Sequence, residues 1–148
     1  MILKGIDNQK VELKIMGYQF PEINTPGDWD SNWLSVYIDV HSKIDNWQTV
    51  DPSLTTSEVR EIIKWFRDLS LNKEVEYAQL GFIEPNLEFN LIDKDSNLKH
   101  IKMIFNAESK PKSAREDEEY CVDFRLSNND LAKAADELEN GLEKYPER

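Results

Sequence analysis

From Trp33 to Val40 the residues alternate strictly, with Leu34, Val36, Ile38 and Val40 on one side and Ser35, Tyr37 and Asp39 on the other. A period of two is that of a half-buried β-strand. The same alternation sets Val11, Leu13 and Ile15 against Glu12, Lys14 and Met16, so Met1 to Ile6 and Lys10 to Tyr18 are expected to pair as a hairpin about Asp7-Asn8-Gln9. After His41-Ser42-Lys43 another strand is expected from Ile44 to Val50. It should end at Asp51-Pro52, because proline has no ladder donor.

The period then changes. Val59, Ile62, Ile63, Phe66 and Leu69 recur at helical spacing, with Arg60, Glu61, Lys64, Arg67 and Asp68 on the other side. Thr55 followed by Glu58 is a capping box, and Leu71-Asn72-Lys73 marks the exit. Strands are expected next over Glu76 to Ile83, over Leu87 to Ile92 after the turn Glu84-Pro85-Asn86, and over Leu98 to Ser109 after the turn at Asp93 to Asn97. Tyr120 to Leu126 is the last strand. Ser127 with Asp130 caps a closing helix whose stripe is Leu131, Ala134, Ala135, Leu138 and Leu142, weakened at Gly141 and closed by Pro146. The expected fold is α+β: an antiparallel β-sheet of about eight strands joined as meander hairpins and packed with two amphipathic helices, in a single domain spanning 1–148.

Two stretches lie outside these periods. Gln19 to Asp30, with Pro21, Pro26 and Gly27, should be irregular, and it places Asp28, Trp29, Asp30 and Asn32 where the chain is exposed. Lys110 to Glu119, reading KPKSAREDEE, should be a mobile hairpin loop with a basic start and the acidic run Glu116, Asp117, Glu118 and Glu119 at its end.

Composition narrows the partners. A chain of 148 residues can bury a core without disulfides or a structural metal, and the single Cys121 forms no internal disulfide. No secretory signal opens the chain and no apolar run is long enough to span a bilayer, so a cytoplasmic location is expected. The formal net charge of −11 disfavours nucleic acid and anionic membrane and favours a basic protein, although acidity also serves plain solubility.

Candidate chemistry is thin. Asp28, Asp30 and Asn32 have the spacing of calcium ligands, but the sixth and twelfth positions hold Trp33 and Asp39 in place of glycine and glutamate. Asp93, Asp95 and Asn97 fail in the same way, with Leu98 and Ile104, and both groups read as Asx turns. Glu12-Leu13-Lys14 has the E-x-K order of metal-dependent nucleases, yet on the polar face of a strand it reads as a solvated pair. Cys121, His41 and His100 carry no nucleophile motif or zinc spacing, and no phosphate-binding glycine loop occurs. No cofactor, metal site or catalytic residue is expected.

The order of the aromatic and turn motifs adds a resemblance. Gly17-Tyr18-Gln19-Phe20-Pro21, the Asp28 to Val40 stretch, Trp47 and Asp51-Pro52 ahead of a capped helix with Trp65, Phe82-Ile83-Glu84-Pro85-Asn86-Leu87, and Leu126-Ser127 before an acidic helix together resemble the WapI-type immunity proteins, from about Tyr18 to Pro146. The resemblance implies a cytoplasmic bacterial antitoxin that neutralises the C-terminal domain of a contact-dependent or polymorphic toxin, without turnover. It fixes no contact residues. The acidic, tryptophan-bearing stretch at Asp28, Trp29 and Asp30, with Glu116 to Glu119, is the candidate contact surface, since carboxylates can steer a basic partner and an exposed indole can anchor it. Two other readings stand beside it: a small-molecule or carbohydrate-binding module with Trp29, Trp33 and Trp47 as its platform, and a hydrolase using scattered carboxylates. Oligomeric state is left open.

Overall fold

The computed structural model of the chain describes residues 1–148 and builds the alternating pattern into two four-stranded antiparallel sheets. The first contains β1 (Ile2–Lys4), β2 (Lys10–Tyr18), β3 (Trp33–His41) and β4 (Asn46–Thr55), in that spatial order, and runs into α1 (Thr56–Ser70). The second contains β5 (Gln79–Gly81), β6 (Leu87–Lys94), β7 (Leu98–Phe105) and β8 (Tyr120–Ser127), and runs into α2 (Asn128–Leu142). The architecture is therefore α+β, with eight strands and two helices, and a four-strand meander followed by a 15-residue helix occurs twice.

Register follows the apolar face. Val11 lies opposite Val40, Leu13 opposite Ile38 and Ile15 opposite Val36, so one side of the first sheet is continuous hydrocarbon. In the second sheet Phe89 lies opposite Met103, and Met103 opposite Val122. Each helix then lies on the sheet of the other half. Phe66 of α1 meets Phe89 of β6 edge-on at 5.6 Å between ring centroids, and Trp65 packs beside them. Glu137 of α2 accepts from the Ile2 amide, and Gly141 faces the Ile15 side chain. Trp47 of β4 joins the sheets directly through edge contacts with Phe105 and Tyr120, while its indole N–H donates to the Ser109 carbonyl at 2.8 Å. The apolar residues of both halves form one core.

Several boundaries depart from expectation. β4 continues through Asp51-Pro52 to Thr55, because it is the outer strand of its sheet and Pro52 falls at a register shift opposite Ser35, where a missing donor is tolerated. β1 shortens to three residues: the chain turns at Asp7 and Asn8, whose φ values of 57° and 62° are left-handed and suit Asx side chains. β5 also keeps only three of its expected residues. β6 runs on to Lys94 through a bulge after Leu91, whereas β7 stops at Phe105 and a 3-10 turn occupies Ala107–Ser109. The Lys110 to Glu119 stretch has no regular element, but Pro111 is buried, Ser113 Oγ donates to Asp45, and the Arg115 amide donates to the Tyr120 hydroxyl.

Both helices begin with a complete capping box, in different surroundings. At α1 the cap residue Thr55 and its partner Glu58 are buried; one Glu58 oxygen accepts from the Thr55 amide at 2.7 Å and the other from the Ile83 amide at 2.7 Å. At α2 the Ser127 and Asp130 pair makes the same reciprocal bonds at the surface. Glu58→Ala is therefore expected to cost roughly 2–4 kcal/mol, since it removes a cap and strands buried donors, against about 1 kcal/mol for Asp130→Ala. Urea unfolding of the two variants checks the difference.

Candidate functional site

Chain leaving β2 at Tyr18 returns to β3 at Trp33 through an irregular loop whose second half is tightly bonded. Gly27 takes a left-handed φ of 81°, and Asp28 then caps a 3-10 turn at Trp29–Asn32, its Oδ1 accepting from the Asp30 amide at 2.9 Å. The fully buried Ser31 donates to the Asp28 carbonyl at 2.7 Å. With Ser31 turned inward, Trp29 points out and remains 68% exposed.

Arg148 holds this loop from the far end of the chain. Its guanidinium lies 3.6 Å from the centre of the Tyr18 ring and donates to the carbonyls of Phe20, Pro21 and Ser31. Its main chain exchanges two bonds with the Asn32 side chain, at 2.8 and 2.9 Å. Tyr145 donates to the Met16 carbonyl and Glu147 pairs with Arg60, so the whole segment after α2 is strapped across the edge of the molecule.

Beside Trp29 a cleft of about 500 Å³ opens at the junction of the two sheets. Asp30 reaches it from the 3-10 turn, Asp51 from β4, Glu84 from the connection between β5 and β6, and Glu108 from the turn after β7. None of these four carboxylates accepts a hydrogen bond or has a cation within ion-pairing distance, and no lysine or arginine lines the cleft. Phe20, Trp29 and Trp33 supply its aromatic wall. Burial, and then the neighbouring Glu108 charge, raises the Asp51 carboxyl above the usual carboxylate range. Asn86, only 2% exposed, also lines the cleft; its Nδ2 donates to Ser53 Oγ at 3.1 Å, and its Oδ1 has no donor. An acceptor buried without a partner costs about 1–3 kcal/mol.

Of the residues singled out in the sequence, Trp29 and Asp30 line this cleft. Asp28, as the cap of the turn, lines a smaller neighbouring one with Arg148. Glu116, Asp117, Glu118 and Glu119 make no hydrogen bond or ion pair with that loop. Glu118 is paired with Arg115 at 2.8 Å and Glu119 with Lys102 at 3.1 Å, leaving Glu116 free and Asp117 at 3.9 Å from Arg115. The three-tryptophan platform does not assemble, because Trp47 is 9% exposed and bonded into the core and Trp33 is 8% exposed. Asp51, Glu84, Asn86 and Glu108 had no local signal in the sequence beyond strand ends and turns.

Other groups offer less chemistry. The Cys121 thiol is pushed up to about 11, by burial first and then by Glu119, so it stays protonated at neutral pH. No group of three or more His, Cys, Asp or Glu side chains is arranged to hold a metal ion. The larger groove between α1 and α2 carries both signs of charge, with Arg67 paired to Glu139 and Asp136 and Lys64 to Asp68.

The family model described as "Immunity protein WapI-like family" matches residues 1–146, which takes in the N-terminal hairpin as well as the stretch from Tyr18 onward. No curated protein and no solved structure matches the chain.

Two outcomes follow from the geometry. Arg148→Ala removes the strap, so hydrogen exchange across residues 20–32 should rise by about tenfold or more while α1 amides keep their protection. Asp51→Asn should stabilise the protein at pH 7. Its folded carboxyl binds a proton more tightly than its unfolded one, so the ionised form opposes folding; that cost is full above the folded-state value and fades as pH falls through the carboxylate range. Thermal melts at pH 7 and pH 3.5 should show the variant's advantage only at the higher pH.

Proposed function

The chain belongs to the WapI-like immunity protein family, and from that membership we propose that it acts in the cytoplasm as a stoichiometric inhibitor, binding a cognate toxin domain and covering the toxin's working surface. The observation that carries this reading is the family match over nearly the full chain. The chain's own chemistry agrees with it. Its net charge of −11 suits a basic partner, and a toxin that acts on nucleic acid commonly presents such a surface. No helix of the protein is long and apolar enough to cross a membrane.

On this proposal the toxin meets the turn at Asp28, Trp29 and Asp30, and the Glu116 to Glu119 stretch, in which Glu116 alone has no cation partner, gives a second acidic rim. Inhibition needs no bond-making. Exposed carboxylates raise the rate of encounter, and an indole withdrawn from water at the centre of the contact slows release. The carbohydrate-module alternative keeps only Trp29 with the largely buried Trp33 beside it, since Trp47 is in the core.

The test uses the purified toxin domain encoded beside this gene. A 1:1 complex that abolishes toxin activity is expected, with Trp29→Ala weakening it by roughly 10- to 100-fold. Association should slow as salt rises from 0.05 to 0.5 M, about the range over which the screening length shrinks from near 14 to 4 Å. If the toxin is neither bound nor neutralised, the proposal fails; binding with no salt dependence removes its electrostatic part alone.

A further inference from the structure

We infer that Arg148 is the positioning residue of the contact surface: it holds the Trp29 turn in the arrangement that the toxin domain binds, and acts through that turn without touching the partner. This inference rests on the reading that the toxin meets Trp29, and it adds the residue that sets the turn's conformation. Little else fixes the loop from Gln19 to Asn32. Every residue from Asn24 to Asp30 is exposed, so core packing does not hold this stretch. Its internal bonds are short-range: the Ile23 amide donates to the Phe20 carbonyl, the Asp28 amide donates to the Thr25 carbonyl, and the rest lie within the 3-10 turn. Such bonds shape each piece of a loop and leave one piece free relative to the next.

Beyond the bond from the Gln19 amide to the Trp33 carbonyl at the loop's base, the ties between its two arms come from Arg148. On the outgoing arm Nη2 donates to the Phe20 carbonyl at 3.1 Å and Nη1 to the Pro21 carbonyl at 3.2 Å. On the returning arm Nε and Nη2 both donate to the Ser31 carbonyl, at 3.0 and 2.5 Å, and no other side chain from outside the loop bonds to its main chain. Ser31 follows Trp29 by two residues in the same 3-10 turn, so the guanidinium grips the turn that carries the indole. Arginine alone among the cations suits these partners. Its planar fork reaches carbonyls on both arms while its face lies over the Tyr18 ring, whereas an ammonium is a point charge with no face to stack. A turn held in this way loses its freedom on folding and not on binding. Once the tie is cut, apparent affinity falls in proportion to the fraction of molecules that still hold the turn in place. Charge works in the opposite direction, because removing Arg148 makes the chain more acidic and would by itself strengthen attraction to a basic partner.

The test is a double-mutant cycle against the toxin domain encoded by the adjacent gene. Arg148→Ala should weaken binding by about tenfold in the wild-type background, and by less than about twofold where Trp29 is already alanine. Arg148→Lys keeps the charge and loses the fork, so it should weaken binding nearly as much as Arg148→Ala. Unchanged or tighter binding by Arg148→Ala, equal losses in the two backgrounds, or full affinity in Arg148→Lys overturns the inference while leaving immunity intact. Backbone 15N relaxation, measured without the toxin, reads the same tie directly: order parameters of the Trp29 to Asn32 amides should fall from about 0.85 in the wild type to below about 0.6 in Arg148→Ala. Should the wild-type protein not bind that toxin at all, the immunity reading fails and relaxation decides, since a turn as ordered in Arg148→Ala as in the wild type overturns the positioning role.

Discussion

The buried Glu58 carboxylate is the joint between the two halves of the molecule. One oxygen completes the cap of α1 by accepting from the amide and hydroxyl of Thr55, and the other accepts from the Ile83 amide in the connection between β5 and β6. A carboxylate in the first turn is further favoured by the helix dipole, so the position is suited to a charge that burial would otherwise penalise. Glu84 follows Ile83 directly, and Asn86 comes two residues later. The bond that starts α1 therefore also sets where the second sheet's carboxylate and its unsatisfied amide stand relative to Asp51, four residues upstream of Thr55 on β4. The cleft is a product of how one helix is capped.

Two further long-range ties complete the frame. Lys99, 1% exposed, reaches from β7 to Asn72 just beyond α1 and to Asn128 at the start of α2, with hydrogen bonds of 2.5 and 2.6 Å; burial lowers its pKa, and the two amide oxygens hold the ammonium where no carboxylate bonds it. Arg148 does the corresponding job for the first half, closing the Phe20 to Asn32 loop onto Tyr18. The cleft's two sides are thus fixed by different means: Trp29 and Asp30 by a strap of hydrogen bonds, Glu84 and Asn86 by a helix cap. Hydrogen bonds at the exposed edge open more easily than a buried cap, so the indole side of the cleft is the more adaptable side.

Much of the fold was legible in the chain. Lys10–Tyr18 and Trp33–His41 alternate cleanly because one face of each is buried, and both capping boxes carry their signature within four residues. Division of eight strands into two sheets was not, since alternation says which face a residue takes and nothing about which strand lies beside it. Pro52 signals a stop in the sequence, because its actual role depends on β4 being an outer strand, a fact of topology. At the site, Trp29 and Asp30 stood out because turn chemistry is local. Asp51, Glu84 and Glu108 lie more than twenty residues apart in sequence, and only the packing of one sheet against the other brings them into one cleft.

Net charge alone is a weak guide to what an acidic protein binds, because charge spread evenly attracts a cation from every side and positions it nowhere. What gives this surface direction is the contrast between paired and unpaired carboxylates. On α1, α2 and the 110–119 loop, lysines and arginines answer most acidic neighbours and flatten the local field. In the cleft beside Trp29 no lysine or arginine pairs with Asp30, Asp51, Glu84 or Glu108, the nearby Arg148 being bonded to backbone carbonyls, and Asp51 binds its proton more tightly than usual as a result of burial and of Glu108. Like charges held together oppose folding. A fold that supplied Arg115 to Glu118 and Lys102 to Glu119 leaves the four cleft carboxylates without an ion pair, so its electrostatic cost is concentrated beside Trp29.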